Sequence, residues 1–271
     1  MACNPAFRRI LITGAAGNLG AYLREALADA AAVLRLSDRR PLAARAAHEE
    51  VAAGELADFA AVEAMMTGVD AVLHFGGIPE EDSWDNILAA NIRGSYHIWE
   101  AARRAGVKRV IFASSNHAIG MYPRTQRLDT DAPPRPDTLY GLSKAFGEQL
   151  ARYYFDKHGI EAVCLRIGSC FPEPRDERML ATWMSYADLA RLCRRCLEAP
   201  VVDCTVVYGV SANARLWWDN SKVDFLGYRP EDSAEFYAEK VRAGGGRFTP
   251  PDPAALFHGG HFVPIGYTRQ R

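Results

Sequence analysis

Two kinds of apolar pattern alternate along the chain. Short, continuous runs rich in β-branched residues lie at 9–13, 33–37, 71–75, 109–113, 162–167 and 205–210, with a weaker run at 51–53. Longer stretches, at about 19–28, 59–66, 84–104, 139–157 and 186–197, repeat their apolar positions three and four residues apart. The first kind fits strands and the second amphipathic helices. Their alternation predicts an α/β protein with a parallel sheet covered on both faces.

Turn chemistry agrees with this division. Ser185 followed by Asp188 reads as a capping box, and Gly106 and Gly159 stand just past their helices. The stretch 129–136, rich in proline and charge, predicts a surface loop. A second loop, 171–178, carries Pro172 and Pro174 after a strand, where open α/β sheets bind ligands.

The first strand runs into Thr13-Gly14-Ala15-Ala16-Gly17-Asn18-Leu19-Gly20, which opens directly onto a helix. Here Gly14 permits a tight turn, Gly17 lets the backbone approach a pyrophosphate, and Gly20 allows close helix–sheet contact. The amide groups of the helix start, at Gly17, Asn18 and Leu19, are placed for phosphate. Asp38 ends the next strand, where a carboxylate accepts from ribose hydroxyls and repels a 2′-phosphate. Arg39 and Arg40 beside it could tolerate that phosphate, but the carboxylate favours NAD over NADP. The fold expected is thus a Rossmann-type, doubly wound parallel sheet.

At 271 residues the chain is expected to form one domain, with a cofactor-binding core at about 8–165. Substrate-binding loops and a small C-terminal extension follow at about 166–271. A net charge of −1 gives no reason to expect a nucleic acid or an acidic membrane as partner. Short basic pairs such as Arg194-Arg195 read as solvated faces. No apolar run approaches the roughly 18 residues of a membrane span, and residues 1–9 lack the apolar core of a signal peptide. The six cysteines are scattered, as expected for thiols of a reducing compartment, so a cytoplasmic location is the default. Cys193 and Cys196 lie at helical spacing with no second ligand pair, which favours packing over zinc. His258 and His261 likewise lack the carboxylate or cysteine company of a metal site.

The candidate chemistry follows the strand at 109–113. Ser114-Ser115-Asn116-His117 comes first, and 25 residues beyond Ser115 stands Tyr140-Gly141-Leu142-Ser143-Lys144. Tyrosine and lysine four apart share one helix face. A phenol titrates near 10, and a neighbouring ammonium favours the phenolate, bringing the value toward that of a general base. Lys144 also has donors for a nicotinamide ribose, and the Ser115 hydroxyl can hold the substrate oxygen that Tyr140 deprotonates.

The glycine pattern, Asp38, Ser115 and the Tyr140/Lys144 pair together resemble the extended short-chain dehydrogenase/reductase superfamily over nearly the whole chain. The resemblance implies NAD chemistry with Ser115, Tyr140 and Lys144 as catalytic residues. It implies cofactor contacts from Phe75, Gly76 and Gly77 after the fourth strand and from Asn91, which bends the fourth helix. Glu55 and Leu56 stand at the adenine contact, with glutamate where the superfamily carries aspartate. Helices 84–104 and 139–157 commonly pair between subunits in this superfamily, which implies a homo-oligomer.

Four segments narrow the resemblance: His74 to Ile78, Ala113 to His117, Arg166 to Pro174, and Trp217-Trp218-Asp219-Asn220. They are similar to the branch that oxidises free hexuronic acids at the anomeric carbon to an aldarolactone. This implies a sugar-acid substrate held by Ser115, Asn116, His117, Tyr140, Ser169 and Arg178, with Cys170 against the cofactor. Independently, Arg178 offers a planar fork suited to a carboxylate. His117 reads alternatively as a structural histidine. Pro79 stands where relatives carry serine and supplies neither a hydroxyl nor a backbone donor. Two rival functions remain: a nucleotide-sugar epimerase or dehydratase, for which the chain after residue 210 is short, and a cofactor-sensing protein that has lost catalysis.

Overall fold

The structure, a computed structural model, describes residues 7–244 and 249–269, so most of the stretch 1–9 lies outside the described residues. The first half comprises β1 (Phe7–Thr13), α1 (Asn18–Ala26), β2 (Ala31–Ser37), β3 (Glu49–Val51), α2 (Phe59–Met65), β4 (Ala71–His74), α3 (Trp84–Ile87), a π-helical segment (Leu88–Arg93), α4 (Gly94–Ala105) and β5 (Arg109–Phe112). Next come β6 (Leu128–Asp129), α5 (Leu139–His158), β7 (Glu161–Ile167), β8 (Ser169–Cys170), α6 (Met179–Thr182), β9 (Trp183–Met184), α7 (Tyr186–Glu198) and β10 (Cys204–Gly209). The C-terminal part adds β11 (Trp218–Asp219), α8 (Ala238–Ala243) and α9 (Pro253–Leu256).

Seven strands form one sheet in the order β10-β7-β5-β4-β1-β2-β3, with every pairing parallel. The order reverses at β1, which has β2 on one side and β4 on the other. Such a reversal opens a crevice at the carboxyl ends of the two strands. The doubly wound sheet expected from the sequence is therefore present.

Strand geometry explains the continuous apolar runs. Successive side chains point to opposite faces, so Ile10 and Ile12 join Leu23, Leu27 and Leu192 on one side, packed by α1 and α7. Leu11 joins Val62, Trp99, Ala102 and Tyr154 on the other, packed by α2, α4 and α5. Each fully buried Leu or Ile contributes about 1.5–3 kcal/mol through burial. Cys193 and Cys196 are fully buried in the first layer, and desolvation pushes the Cys196 thiol up to about 12. They pack as α7 core residues, as the sequence predicts.

Three details differ from expectation. The weak run at 51–53 contributes only Val51 to a strand, since β3 pairs with β2 through Glu49, Glu50 and Val51. The stretch 84–104 is not one α-helix: the π-helical segment interrupts it, and Asn91 sits buried inside that segment. The Ser185 cap is half a capping box. Its hydroxyl accepts from Asp188 N at 2.9 Å, but the Asp188 carboxylate accepts from Glu231 N and Asp232 N, and Ser185 N donates to Ser211 Oγ. By contrast, Gly106 and Gly159 close their helices in the left-handed conformation expected of them, with φ of 72° and 69°.

Beyond β10 the chain returns to the segment between β5 and α5. β11 pairs with β6, Trp218 stacks on Tyr208 at 5.2 Å, and Trp218 Nε1 donates to His258 Nδ1 at 2.9 Å. The stretch 129–136 runs over the surface apart from buried Thr130.

His74, at the end of β4, makes a testable prediction. Its Nδ1 lies 2.8 Å from Thr13 Oγ1, and burial pushes its pKa from 6.5 down to about 3. A depressed folded-state value contributes stability that is present above 6.5 and lost as the pH falls toward 3. Going from pH 7 to pH 5 is expected to cost about 2 kcal/mol, or roughly 4–8 °C of Tm. Replacing His74 with Gln should flatten that fall in a thermal melt series; an unchanged slope would assign the acid sensitivity elsewhere.

Candidate active site

The crevice between β1 and β4 is lined by loops that touch one another. Gly14 adopts φ 71°, and a β carbon there would sit 2.7 Å from the Phe75 carbonyl and 2.8 Å from Gly76 N. A β carbon at Gly20 would overlap the Gly14 carbonyl and Ala15 Cα. Gly20 thus admits α1 against the glycine loop itself rather than against the body of the sheet. No side chain caps α1 at Gly17, so its leading amides face the loop without a side-chain acceptor. Hydrogen-bond donors at a helix start, beside a turn that excludes side chains, fit the pyrophosphate of a dinucleotide.

Asp38 closes the loop at the end of β2. Its carboxylate is mostly buried and accepts from Ala16 N at 3.0 Å and from Arg40 N at 2.9 Å. Arg39 and Arg40 are exposed. Leu56 packs toward Gly76 and Gly94, its carbonyl accepts from His97 Nδ1 at 2.7 Å, and Glu55 is exposed beside it. Asn91 faces the backbone after Gly77: its Oδ1 accepts from Ile78 N at 2.8 Å, and its Nδ2 donates to Ile78 O and Ser143 Oγ. It shapes the turn at Gly77, whose φ is 134°, instead of presenting an unpaired amide to the crevice. Thr13, which the sequence reading passed over, joins the two loops through Gly76 N at 3.1 Å.

The catalytic candidates meet at the carboxyl end of β5. Ser115 bridges to Ile167, its Oγ accepts from His117 N at 3.2 Å, and its hydroxyl lies close enough to the Tyr140 phenol to favour the phenolate. Lys144, one turn along α5, donates from Nζ to Ala113 O at 2.8 Å and lies 5.4 Å from the Tyr140 ring centre. Further along the same face, Glu148 accepts from Ser114 Oγ at 2.6 Å and pairs with buried Arg166. This anchors α5 to β5 and β7 behind the site.

Burial reverses the expected titration. The Tyr140 phenol is pushed up to about 12, by desolvation first and by the Asp137 charge, against the lowering effect of the Ser115 hydroxyl. Desolvation also pulls Lys144 down to about 8. The sequence shows that the two residues share a face but not that both are buried. The ammonium donates to a carbonyl, not to the phenol, so its lowering influence does not dominate.

Opposite these residues lies a cluster centred on Arg178. The sequence places Arg178 in a covering loop; in the structure it leads into α6 and is buried. Nε and Nη2 donate to His258 O at 2.9 and 2.6 Å, and Nη1 donates to Ser169 Oγ at 3.0 Å. With its amide oriented to satisfy both ends, Asn116 accepts from Arg178 Nη2 at 2.7 Å and donates to Ile167 O at 3.1 Å. These acceptors are neutral, and burial brings the guanidinium only down to about 10, so it is cationic at neutral pH. Cys170, in β8, is half-buried, and desolvation pushes its thiol up.

The tail completes the wall. Phe262 stacks on His117 at 3.9 Å and lies 6.1 Å from Tyr140 between ring centres. Gly259 N donates to Gly120 O. At the other edge, Glu81 accepts from Leu139 N at 3.2 Å and Tyr140 N at 2.7 Å, so a carboxylate from the Pro79 loop caps α5. Asp137, Phe262 and Glu81 were not singled out from sequence. Phe262 and Glu81 reach the site from distant segments, whereas Asp137 stands just before α5, where the Asp137-Thr138 step carries a local signal that reads as capping.

The comparisons with known proteins agree with this architecture. The family model for the NAD dependent epimerase/dehydratase family matches residues 10–206. The chain belongs to that family, and its cofactor is NAD. More particularly, it is 52% identical to a uronate dehydrogenase of Pseudomonas putida over 96% of this chain and 97% of that one. The crystal structure of a glucuronic acid dehydrogenase from Chromohalobacter salexigens superposes with a TM-score of 0.92 at 51% identity, covering 95% of this chain and 97% of that chain. A mutant uronate dehydrogenase from Agrobacterium tumefaciens complexed with NAD gives 0.91 at 50% identity, covering 94% and 97%.

Proposed function

We propose that this chain oxidises a free hexuronic acid, D-glucuronate or D-galacturonate, at C1 with NAD, giving the aldarolactone, NADH and a proton. The observation that carries the reading is the linked set Tyr140–Ser115–Asn116–Arg178. It has a buried tyrosine hydroxyl at one end and a buried guanidinium, held by neutral partners, at the other. A buried cation of this kind favours a ligand carboxylate, with Ser169 and Asn116 as further hydrogen-bonding groups. The names of the relatives point to the same substrate class.

On this reading Ser115 orients the anomeric hydroxyl, Tyr140 takes its proton, and His117 contacts a ring hydroxyl. NAD, when bound, would supply the acceptor for the C1 hydride. Gly14, Gly17, Asn18, Leu19 and Gly20 hold its pyrophosphate, Asp38 the adenosine ribose, and Glu55 and Leu56 the adenine. Phe75, Gly76, Gly77 and Cys170 line its path, Lys144 reaches the nicotinamide ribose, and Asn91 acts through the Ile78 backbone. Because C1 of the closed ring already carries the ring oxygen, losing its hydride and the hydroxyl proton gives a lactone without water.

Deuterium at C1 tests the proposal. With [1-²H]-D-glucuronate, the label is expected on the nicotinamide of NADH and a lactone in the earliest ¹³C spectra. Label retained in the sugar product, or an open-chain diacid formed with no preceding lactone, would contradict it.

A further inference from the structure

Asp137 immediately precedes Thr138, the N-cap of α5, and its side chain is wholly buried. Its Oδ2 lies 2.8 Å from His117 Nδ1, while Oδ1 accepts from Thr138 Oγ1 at 2.9 Å. The backbones of Gly120 and Gly259 close on the carboxylate so tightly that a β carbon at either would overlap it. The His117 ring is clasped on its remaining sides, with Phe262 stacked at 3.9 Å and Tyr140 edge-on at 5.8 Å. It keeps 10% of its side-chain surface exposed, and with Nδ1 on a wholly buried partner, Nε2 is the ring nitrogen left for a ligand.

A carboxylate only accepts hydrogen bonds, so it selects the imidazole tautomer protonated at Nδ1 and leaves the Nε2 lone pair directed away. We propose that Asp137 is a positioning residue that fixes His117 in this tautomer, so that Nε2 accepts a hydrogen bond from a ring hydroxyl of the sugar beside Tyr140. The sugar is that of the proposed function, on which this inference rests. Asp137 also joins the C-terminal segment to the site, because Gly259 seats on its carboxylate three residues before Phe262 stacks on His117. The other titratable groups facing this pair are Tyr140, Arg178 and His261.

The first test is the ¹⁵N–¹H correlation spectrum of the histidine rings in the full chain with NAD, with the His117 signal identified by its loss in His117→Asn. A ring with its proton on Nδ1 and a free lone pair on Nε2 is expected in the wild type, and a proton on Nε2, whether as the other tautomer or as an imidazolium, overturns the proposal whether or not any variant folds. In kinetics, Asp137→Asn should raise KM for D-glucuronate about 10- to 100-fold and change KM for NAD little. His117→Asn should do the same, with no further loss in the double variant. Additive losses, or an unchanged KM in Asp137→Asn, overturn it. Absence of wild-type turnover on uronates, with the Nδ1–H tautomer present, sinks the substrate reading and leaves the histidine assignment intact.

Discussion

Tyr140→Phe is expected to lower kcat for uronate oxidation about 10²- to 10⁴-fold, the range that a positioned general base supplies and equivalent to about 3–5 kcal/mol. Only the hydroxyl is removed. The ring keeps its neighbours His117 and Phe262, so the fold and KM for NAD should change little. The pH profile separates loss of a base from loss of a contact. With the phenol pushed up to about 12, its deprotonated fraction is small at neutrality and grows with pH. In the wild type kcat/KM should therefore rise from pH 6, bending over above about 8, where Lys144 loses its ammonium. The residual activity of Tyr140→Phe should show no such rise. Retention of more than a tenth of the wild-type kcat would remove Tyr140 from the proton-acceptor role.

The second large effect belongs to Arg178. Removing one partner of a buried, hydrogen-bonded charge pair costs about 2–5 kcal/mol. Arg178→Met is therefore expected to lower kcat/KM for D-glucuronate about 10²- to 10³-fold. A neutral sugar gains nothing from the guanidinium, so the small activity expected with D-glucose should scarcely move. Because Arg178 also holds His258 O, the variant should be checked by thermal melt and by NAD affinity. An equal loss on both sugars would make Arg178 a structural tie for the tail rather than a carboxylate clamp.

The sheet was legible because its strands are buried on both faces, which produces apolar runs such as Ile10-Leu11-Ile12. Strand and helix ends moved by a residue or two, as hydrogen bonding and not hydrophobicity decides where they stop. The π-helical segment was hidden because Leu88–Arg93 differs from an α-helix in backbone pairing, which a spacing pattern does not resolve. The glycine loop, Asp38 and the Ser115/Tyr140/Lys144 set were legible because each lies at a fixed distance from a recognisable element. The contacts between distant segments were not. Asp137 meets His117 through the short turn after β5, and Phe262 meets it from 145 residues away in sequence. Nor does spacing reveal desolvation, which sets Tyr140 and Lys144 apart in the direction opposite to the one their proximity predicts.

The most direct test of the account is NADH formation, followed by absorbance, with D-glucuronate and D-galacturonate beside D-glucose. Turnover on the uronates, with D-glucose far slower, is the result expected of a site with Tyr140 at one end and Arg178 at the other. Measurable NAD binding with no NADH formed from either uronate would contradict it.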